Sequence, residues 1–261
     1  MDITLTQALL IGLAAAICFA GQLWGLYTNR AIVLGFIVGV ILHDIPTGLA
    51  MGAISELAFM GFGVGAGGSV PPNPLGPGVI GTIMAIALKG SGMTVETALA
   101  LSFPFAVLIQ FAITFVYSVC AGSTAWSKKA IAEGKFRKFQ LISHTTLFAF
   151  LAVGFIVGFT SAIGMGSLEA FVKAFPQWLI AGLKVAGGLL PAIGFAMILN
   201  VMVKKEYAAY LILGYVSIAY LKLPVMGVAL IGAVFAINEF IRSGKEGNLD
   251  VQQEEVIEDG I

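Results

Sequence analysis

Charge is scarce in this chain, since only 11% of its 261 residues are Asp, Glu, Lys or Arg, where a soluble domain carries about 25%. Hydrophobic residues make up 59% of the sequence and the mean hydropathy is +0.98, which excludes an ordinary soluble fold. The 14 basic and 14 acidic residues cancel, so no global field points to nucleic acid, and none is expected as a partner. Cysteine is nearly absent. Cys18 and Cys120 both fall in apolar stretches, which excludes a disulfide framework and a metal pair and leaves two membrane-buried thiols. No Gly-Lys-Ser/Thr ending closes a glycine-rich loop, so a nucleotide cradle is excluded too. His43 and His144 each stand alone, as satisfied structural histidines usually do. No catalytic residue, metal or cofactor is expected. Asp2 stands where a secretory signal would carry positive charge, so the first apolar run should be retained.

Uninterrupted spans are also missing where they would be expected, between Ala31 and Leu88. The run Ala31 to Leu42 rises roughly 18 Å at about 1.5 Å per residue, short of a hydrocarbon core of about 30 Å. It is broken by His43-Asp44-Ile45-Pro46-Thr47-Gly48, and the next run by a glycine-rich stretch ending in Pro71-Pro72-Asn73-Pro74. Non-helical backbone at membrane depth is tolerated only where protein buries it or water fills a cavity. The breaks therefore predict re-entrant or discontinuous helices around a polar solute site near the midplane. The fold class is an all-α polytopic membrane protein.

Apolar runs fill the chain from about Leu5 to Ile241 and leave no room for a soluble catalytic domain, so residues 1–241 read as one integral membrane unit. Helices are expected over Leu5–Leu23, Ala31–Leu42, Gly48–Phe62, Gly78–Leu88, Glu96–Ala121, Leu141–Ile163, Gln177–Val203, Tyr207–Leu221 and Val225–Ile241. Gly35 and Gly39, Gly48 and Gly52, and Gly61 and Gly65 repeat a small-xxx-small spacing that lets helix backbones approach. The segment Gly122 to Gln140 holds Lys128, Lys129, Lys135, Arg137 and Lys138 against Glu133 alone, which places it in the cytoplasm. Residues 242–261 are polar and acidic and read as a disordered tail; counting spans puts it in the cytoplasm as well.

Two carboxylates sit inside apolar sequence, where an ionised Asp at a helix centre costs about 2.5–3.5 kcal/mol on insertion scales. Asp44 either lines a site or caps the following helix, with Thr47 as the competing cap. Glu56 either lines the site or is held by a protein partner. Twelve residues with Pro46 and Gly48 between them prevent helical periodicity from deciding whether the two carboxylates share a face. Gly68, Pro72 and Asn73 belong to a stretch with too many breakers for a helix and too little charge for an exposed loop, which fits a buried hairpin tip. There the Asn73 amide can donate and accept toward hydroxyls. Trp24, Trp126 and Trp178 fall near span boundaries; Trp24 either joins an aromatic belt or stacks on a ligand ring. Gln22, Gln110 and Asn200 are amides available to neighbouring helices or to a solute.

The block from Asp44-Ile45-Pro46-Thr47-Gly48 to Ser55-Glu56-Leu57, followed by Gly67-Gly68-Ser69-Val70-Pro71-Pro72-Asn73, resembles the IIC membrane subunit of the mannose, fructose and sorbose family of bacterial phosphotransferase systems. The likeness continues at Pro176-Gln177-Trp178-Leu179, Val185-Ala186-Gly187-Gly188 and Gly194-Phe195-Ala196-Met197. Asn73 stands where mannose-transporting members typically carry a carboxylate. The Pro-Pro-Asn-Pro form looks more like members that take galactosamine or N-acetylgalactosamine, and His43 stands where many members have Gly. The resemblance implies a multi-pass permease subunit in the bacterial cytoplasmic (inner) membrane, importing a hexose or amino sugar. It implies a IID partner, trimers of IIC–IID pairs, a sugar site between the subunits and an elevator-like displacement. Phosphate would pass through IIA to a histidine of IIB, which phosphorylates the sugar; this chain would be a permease and not an enzyme. Glu56, Asn73, Asp44, Gly68, Pro72 and Trp24 are the expected sugar-site residues. The rival classes are an ion-coupled secondary sugar transporter titrating Asp44 or Glu56, and a membrane scaffold or receptor.

Overall fold

The computed structural model describes residues 3–60, 72–173, 175–203 and 207–258, and every regular element among them is helical. Gly61, Gly65 and Gly68 lie outside the described residues. The chain divides into two compact units, Met1–Val201 and Met202–Ile261.

In the first unit α1 (Leu5–Gly21) starts at Thr4, whose hydroxyl accepts from Gln7 N at 3.3 Å while Gln7 Oε1 accepts from Thr4 N at 2.9 Å. This reciprocal capping box satisfies two donors that the first turn leaves orphaned. α8 (Thr145–Ile163) packs along α1 through small residues. A methyl at Gly154 would lie 2.8 Å from the Ala15 carbonyl oxygen, and one at Gly158 2.8 Å from the Ala15 Cβ. Phe19 stacks on Phe150 with ring centroids 4.7 Å apart, and Tyr117 of α5 (Val95–Cys120) tilts onto Phe150 at 5.2 Å. All are contacts of the kind that hold helices together where lipid removes the hydrophobic drive.

α2 (Ala31–Ile41) and α3 (Ile45–Phe59) form a tight hairpin. The glycine spacing read from the sequence makes the seam. A Cβ on Gly35 would meet the Gly48 carbonyl oxygen at 2.6 Å, and one on Gly52 the Ile32 Cα at 2.6 Å. α2 closes in a Schellman motif, with His43 N donating to the Val40 carbonyl at 3.2 Å and Asp44 N to the Gly39 carbonyl at 2.9 Å. The motif needs a left-handed residue, and His43 supplies it with φ 61°. That conformation favours Gly, and a side chain there is held at some cost in strain. Asp44 then caps α3, accepting from Thr47 N at 3.2 Å. Gln7 Nε2 ties α1 to the last turn of α2 through the Ile41 carbonyl at 3.3 Å.

After Asn73 a π-helical turn, Gly76–Gly81, leads into α4 (Thr82–Ala87), and both are buried. Its first glycine lies so close to α5 that a Cβ would sit 2.6 Å from the Ala106 Cα. The basic segment expected as a loop is helical over most of its length, as α6 (Ser123–Ala132) and α7 (Phe136–Ser143), turning at Gly134 with φ 69°. Its Ala and Lys content favours helix, and its polarity concealed that. A short α9 (Met165–Lys173), absent from the sequence reading, precedes α10 (Gln177–Met202). Gly187 and Gly194, the buried residues of α10, press against the Glu96 carbonyl and the Leu57 and Ala58 carbonyls. Two of the sequence blocks that carried the resemblance are therefore packing blocks.

The second unit pairs α11 (Ala208–Ala219) with α12 (Val225–Glu258). Only a short connection separates them and Tyr210 packs against Phe235 with ring centroids 5.6 Å apart, so the two helices run antiparallel. α12 is helical as far as Glu258. Among the described residues, five helical stretches are long and apolar enough to cross a membrane: Leu5–Trp24, Val95–Ala132, Phe136–Ile163, Gln177–Met202 and Val225–Arg242. α2 and α3 are shorter, as the breaks predicted, and so is α11.

Candidate functional site

Glu56 and Asp44 occupy opposite ends of α3, separated by roughly 18 Å of helix axis at about 1.5 Å per residue. They do not share a site. At the Glu56 end, Arg30 grips the carboxylate from the residue just before α2. Arg30 Nε donates to Oε1 at 3.2 Å, and Nη2 donates to Oε2. The Ile32 backbone N–H, an orphan donor of the first turn of α2, also donates to Oε1, at 3.3 Å. Glu56 thus closes the start of α2 from across the hairpin, and its side chain keeps 20% of its surface exposed.

That exposed surface faces a cavity of about 160 Å³ lined by Arg30, Ala31, Ser55, Glu56, Phe59, Met60, Pro72 and Pro74. Of the residues expected to line a site, Glu56 and Pro72 come together here. The Ser55 hydroxyl is turned back on the Met51 carbonyl at 2.6 Å. Asn73 is buried between the cavity-lining prolines and bonded to protein. Its Oδ1 accepts from Leu75 N at 3.0 Å, its Nδ2 donates to Gln110 Oε1 at 3.4 Å, and its backbone N donates to the Ala106 carbonyl at 3.1 Å. The amide fixes the proline segment against α5. Gln22 is likewise held locally, by the Phe19 carbonyl at 3.0 Å and by Asn29 at 3.3 Å.

At the other end, Asp44 accepts from Lys89 Nζ at 2.8 Å and from the Thr47 hydroxyl at 2.8 Å, and the same Lys89 donates to Thr47 Oγ1 at 2.9 Å. The Lys89 ammonium and the Thr47 hydroxyl together hold the Asp44 carboxylate in place. The cluster is a helix cap locked by a cation, and none of its members lines the cavity beside Glu56. Trp24 is 61% exposed at the end of the short turn after α1 and is likewise absent from that wall. His144 sits at the α7–α8 junction with Nδ1 2.7 Å from the Gln140 carbonyl. No group of three His, Cys, Asp or Glu among the described residues is arranged to hold a metal.

A larger cavity, about 510 Å³, opens between α11 and α12, with Tyr207, Tyr210, Ser217, Phe235 and Glu239 in its wall. The Ser217 hydroxyl is already bonded to the Leu213 carbonyl at 2.8 Å. The remaining wall is mainly apolar and aromatic, a lining that suits hydrocarbon better than a ligand with a hydroxyl on nearly every carbon. Sequence reasoning missed Arg30 altogether, because a single cation at a span boundary reads as a flanking charge and its partner lies on another helix.

Residues 5–238 match the family described as the sorbose-specific IIC component of the phosphotransferase system. The chain is 37% identical over 247 residues to the N-acetylgalactosamine permease IIC component 1 of Escherichia coli K12, covering 93% of this chain and 90% of that protein. It is 26% identical over 240 residues to the mannose-specific EIIC component of the same organism. Among solved structures it superposes on one titled only as a membrane protein with a TM-score of 0.80 at 25% identity, covering 92% of this chain and 96% of the other. It also matches a chain of the mannose transporter ManYZ in complex with microcin E492, with a TM-score of 0.58 at 25% identity and the same coverage. A helical multi-pass architecture, short broken helices around a polar pocket and a family match over nearly the whole length converge, and the chain belongs to the sorbose-type IIC family of bacterial phosphotransferase sugar permeases.

Proposed function

We propose that this chain is the translocating subunit for an amino sugar, N-acetylgalactosamine or galactosamine, with other hexoses as poorer substrates. The observation that carries this reading is the 37% identity, across nearly the full length of both chains, to a protein named as an N-acetylgalactosamine permease IIC component. The cavity at Glu56 and Pro72 supports it, since a carboxylate and a guanidinium at one wall suit a hydroxylated ligand. At about 160 Å³ it is smaller than the roughly 300–1,000 Å³ of complete small-molecule sites. A site completed by a IID subunit, in trimers of IIC–IID pairs, accounts for that size.

In this reading Glu56 and Pro72 contact the sugar and Asn73 sets the position of Pro72, while Asp44 and Trp24 stand apart from it. IIA and IIB supply the phosphoryl group, and IIB docks on the basic surface of α6 and α7 in the cytoplasm. The antiparallel pairing of α11 with α12 returns the chain to the level of Tyr207, which supports a cytoplasmic C-terminus. An ion-coupled carrier would use a carboxylate free to take up its ion, whereas Glu56 and Asp44 are each engaged by a cation. The test is sugar-dependent phosphorylation by membranes containing this chain with IIA and IIB, with and without IID. Phosphorylated N-acetylgalactosamine or galactosamine should appear only with IID. Uptake of unmodified sugar driven by an ion gradient alone would overturn the reading.

A further inference from the structure

Donor and acceptor counting at the Arg30–Glu56 pair goes further than the family assignment. An ionised carboxylate offers about four acceptor positions and a guanidinium five N–H donors. Glu56 already accepts from Arg30 Nε, Arg30 Nη2 and Ile32 N, which leaves roughly one acceptor position. Arg30 spends only two of its donors on Glu56, and Nη1 has no hydrogen-bond partner among the described residues. Its side chain is 51% exposed, and the residue stands in the cavity wall. The pair is close to neutral as a unit, yet it presents more donors than acceptors to the cavity.

Such a wall selects ligand groups that accept. A carbonyl or hydroxyl oxygen finds unspent guanidinium donors, whereas an ammonium has three donors, little left to accept them and a cation beside it. The volume, about 160 Å³, is ample for an acetamido substituent. The neighbouring wall is apolar, from Ala31, Phe59, Met60, Pro72 and Pro74, and suits a methyl group. We propose that the Arg30–Glu56 cavity is the subsite for the N-acetyl group of the sugar, with Arg30 donating to its carbonyl oxygen, and that Arg30 makes this permease prefer an N-acetylated amino sugar to the free amine. The inference rests on the amino-sugar reading above and adds which of the two amino sugars is favoured and why.

The test is uptake coupled to phosphorylation in membranes holding this chain with its IID, IIB and IIA partners, using N-acetylgalactosamine and galactosamine at matched abundance. The unmodified chain should favour the N-acetylated sugar. Arg30→Gln should raise KM for N-acetylgalactosamine about ten-fold or more, the loss of one charged hydrogen bond, while galactosamine keeps or improves its KM. Arg30→Lys, which holds the charge and keeps an ammonium donor, should restore part of the preference. If both sugars weaken by the same factor in Arg30→Gln and Arg30→Lys, Arg30 merely braces the hairpin and the subsite is wrong. If the unmodified complex carries neither amino sugar, the parent reading has failed and the subsite falls with it. Should Arg30→Gln not accumulate, the ratio of the two KM values in Arg30→Lys decides alone: an unchanged ratio overturns the proposal, and a reduced one upholds it.

Discussion

The two ends of the α2–α3 hairpin carry the same chemistry and put it to different use. Each has a carboxylate beside a cation from elsewhere in the fold, Glu56 with Arg30 and Asp44 with Lys89. At the Asp44 end the carboxylate caps its own helix, and the cation and Thr47 complete a closed local cluster. At the Glu56 end the carboxylate reaches across to the start of the other helix and borders a cavity, leaving donors unspent. An ionisable residue in apolar sequence therefore signals a polar junction, and whether that junction is structural or ligand-facing depends on how many of its hydrogen bonds remain to be made.

The comparison breaks down entirely if the hairpin does, so the largest effect should come from its seam. Gly48→Val would drive a branched side chain into the Gly35 carbonyl and Gly39 backbone. It should cost about 3 kcal/mol or more and remove both ends at once, seen as loss of folded complex by size-exclusion chromatography in detergent. Next comes Glu56→Gln, which keeps the size and removes the charge. Sugar binding should weaken by about 1.5–3 kcal/mol, ten-fold to more than a hundred-fold, in direct titration of the IIC–IID complex. Asp44→Ala should do the reverse. Stability falls by about 1 kcal/mol through loss of the cap, read from thermal unfolding, while sugar affinity holds within two-fold; Asp44→Asn, still a good cap, should cost less than half as much. Equal losses of affinity at both ends would erase the distinction drawn between them. Smallest is His43→Gly, where relief of the left-handed strain should stabilise the protein by about 0.5–1 kcal/mol with no change in transport.

Much of this hairpin was legible beforehand. Runs too short to span, glycines four apart and an Asp two residues before a proline each have a local physical meaning, and the structure places short helices, a glycine seam and an Asp44 cap where they fall. Relations across the chain were not legible. Arg30 and Glu56 meet over 26 residues of sequence, and no periodicity links the end of one loop to the last turn of a later helix. Asn73 looked like a ligand group because an amide in apolar sequence must bond something, but its partners are Leu75 and Gln110. The helices α6, α7 and α9 were concealed for another reason: polar or short segments give no strong apolar period even where their residues favour helix.

The glycine seam has a mechanical consequence. Where side chains interdigitate, two helices can slip by exchanging rotamers, but backbone against backbone leaves nothing to exchange, and any sliding of α2 along α3 meets carbonyl oxygens at once. The hairpin therefore behaves as a single stiff rod of about 20 Å, gripped at one tip by Arg30 and at the other by Lys89. Whatever shifts one tip shifts the other in step, so a spectroscopic label placed near Lys89, well away from the sugar cavity, will register every movement made at Glu56.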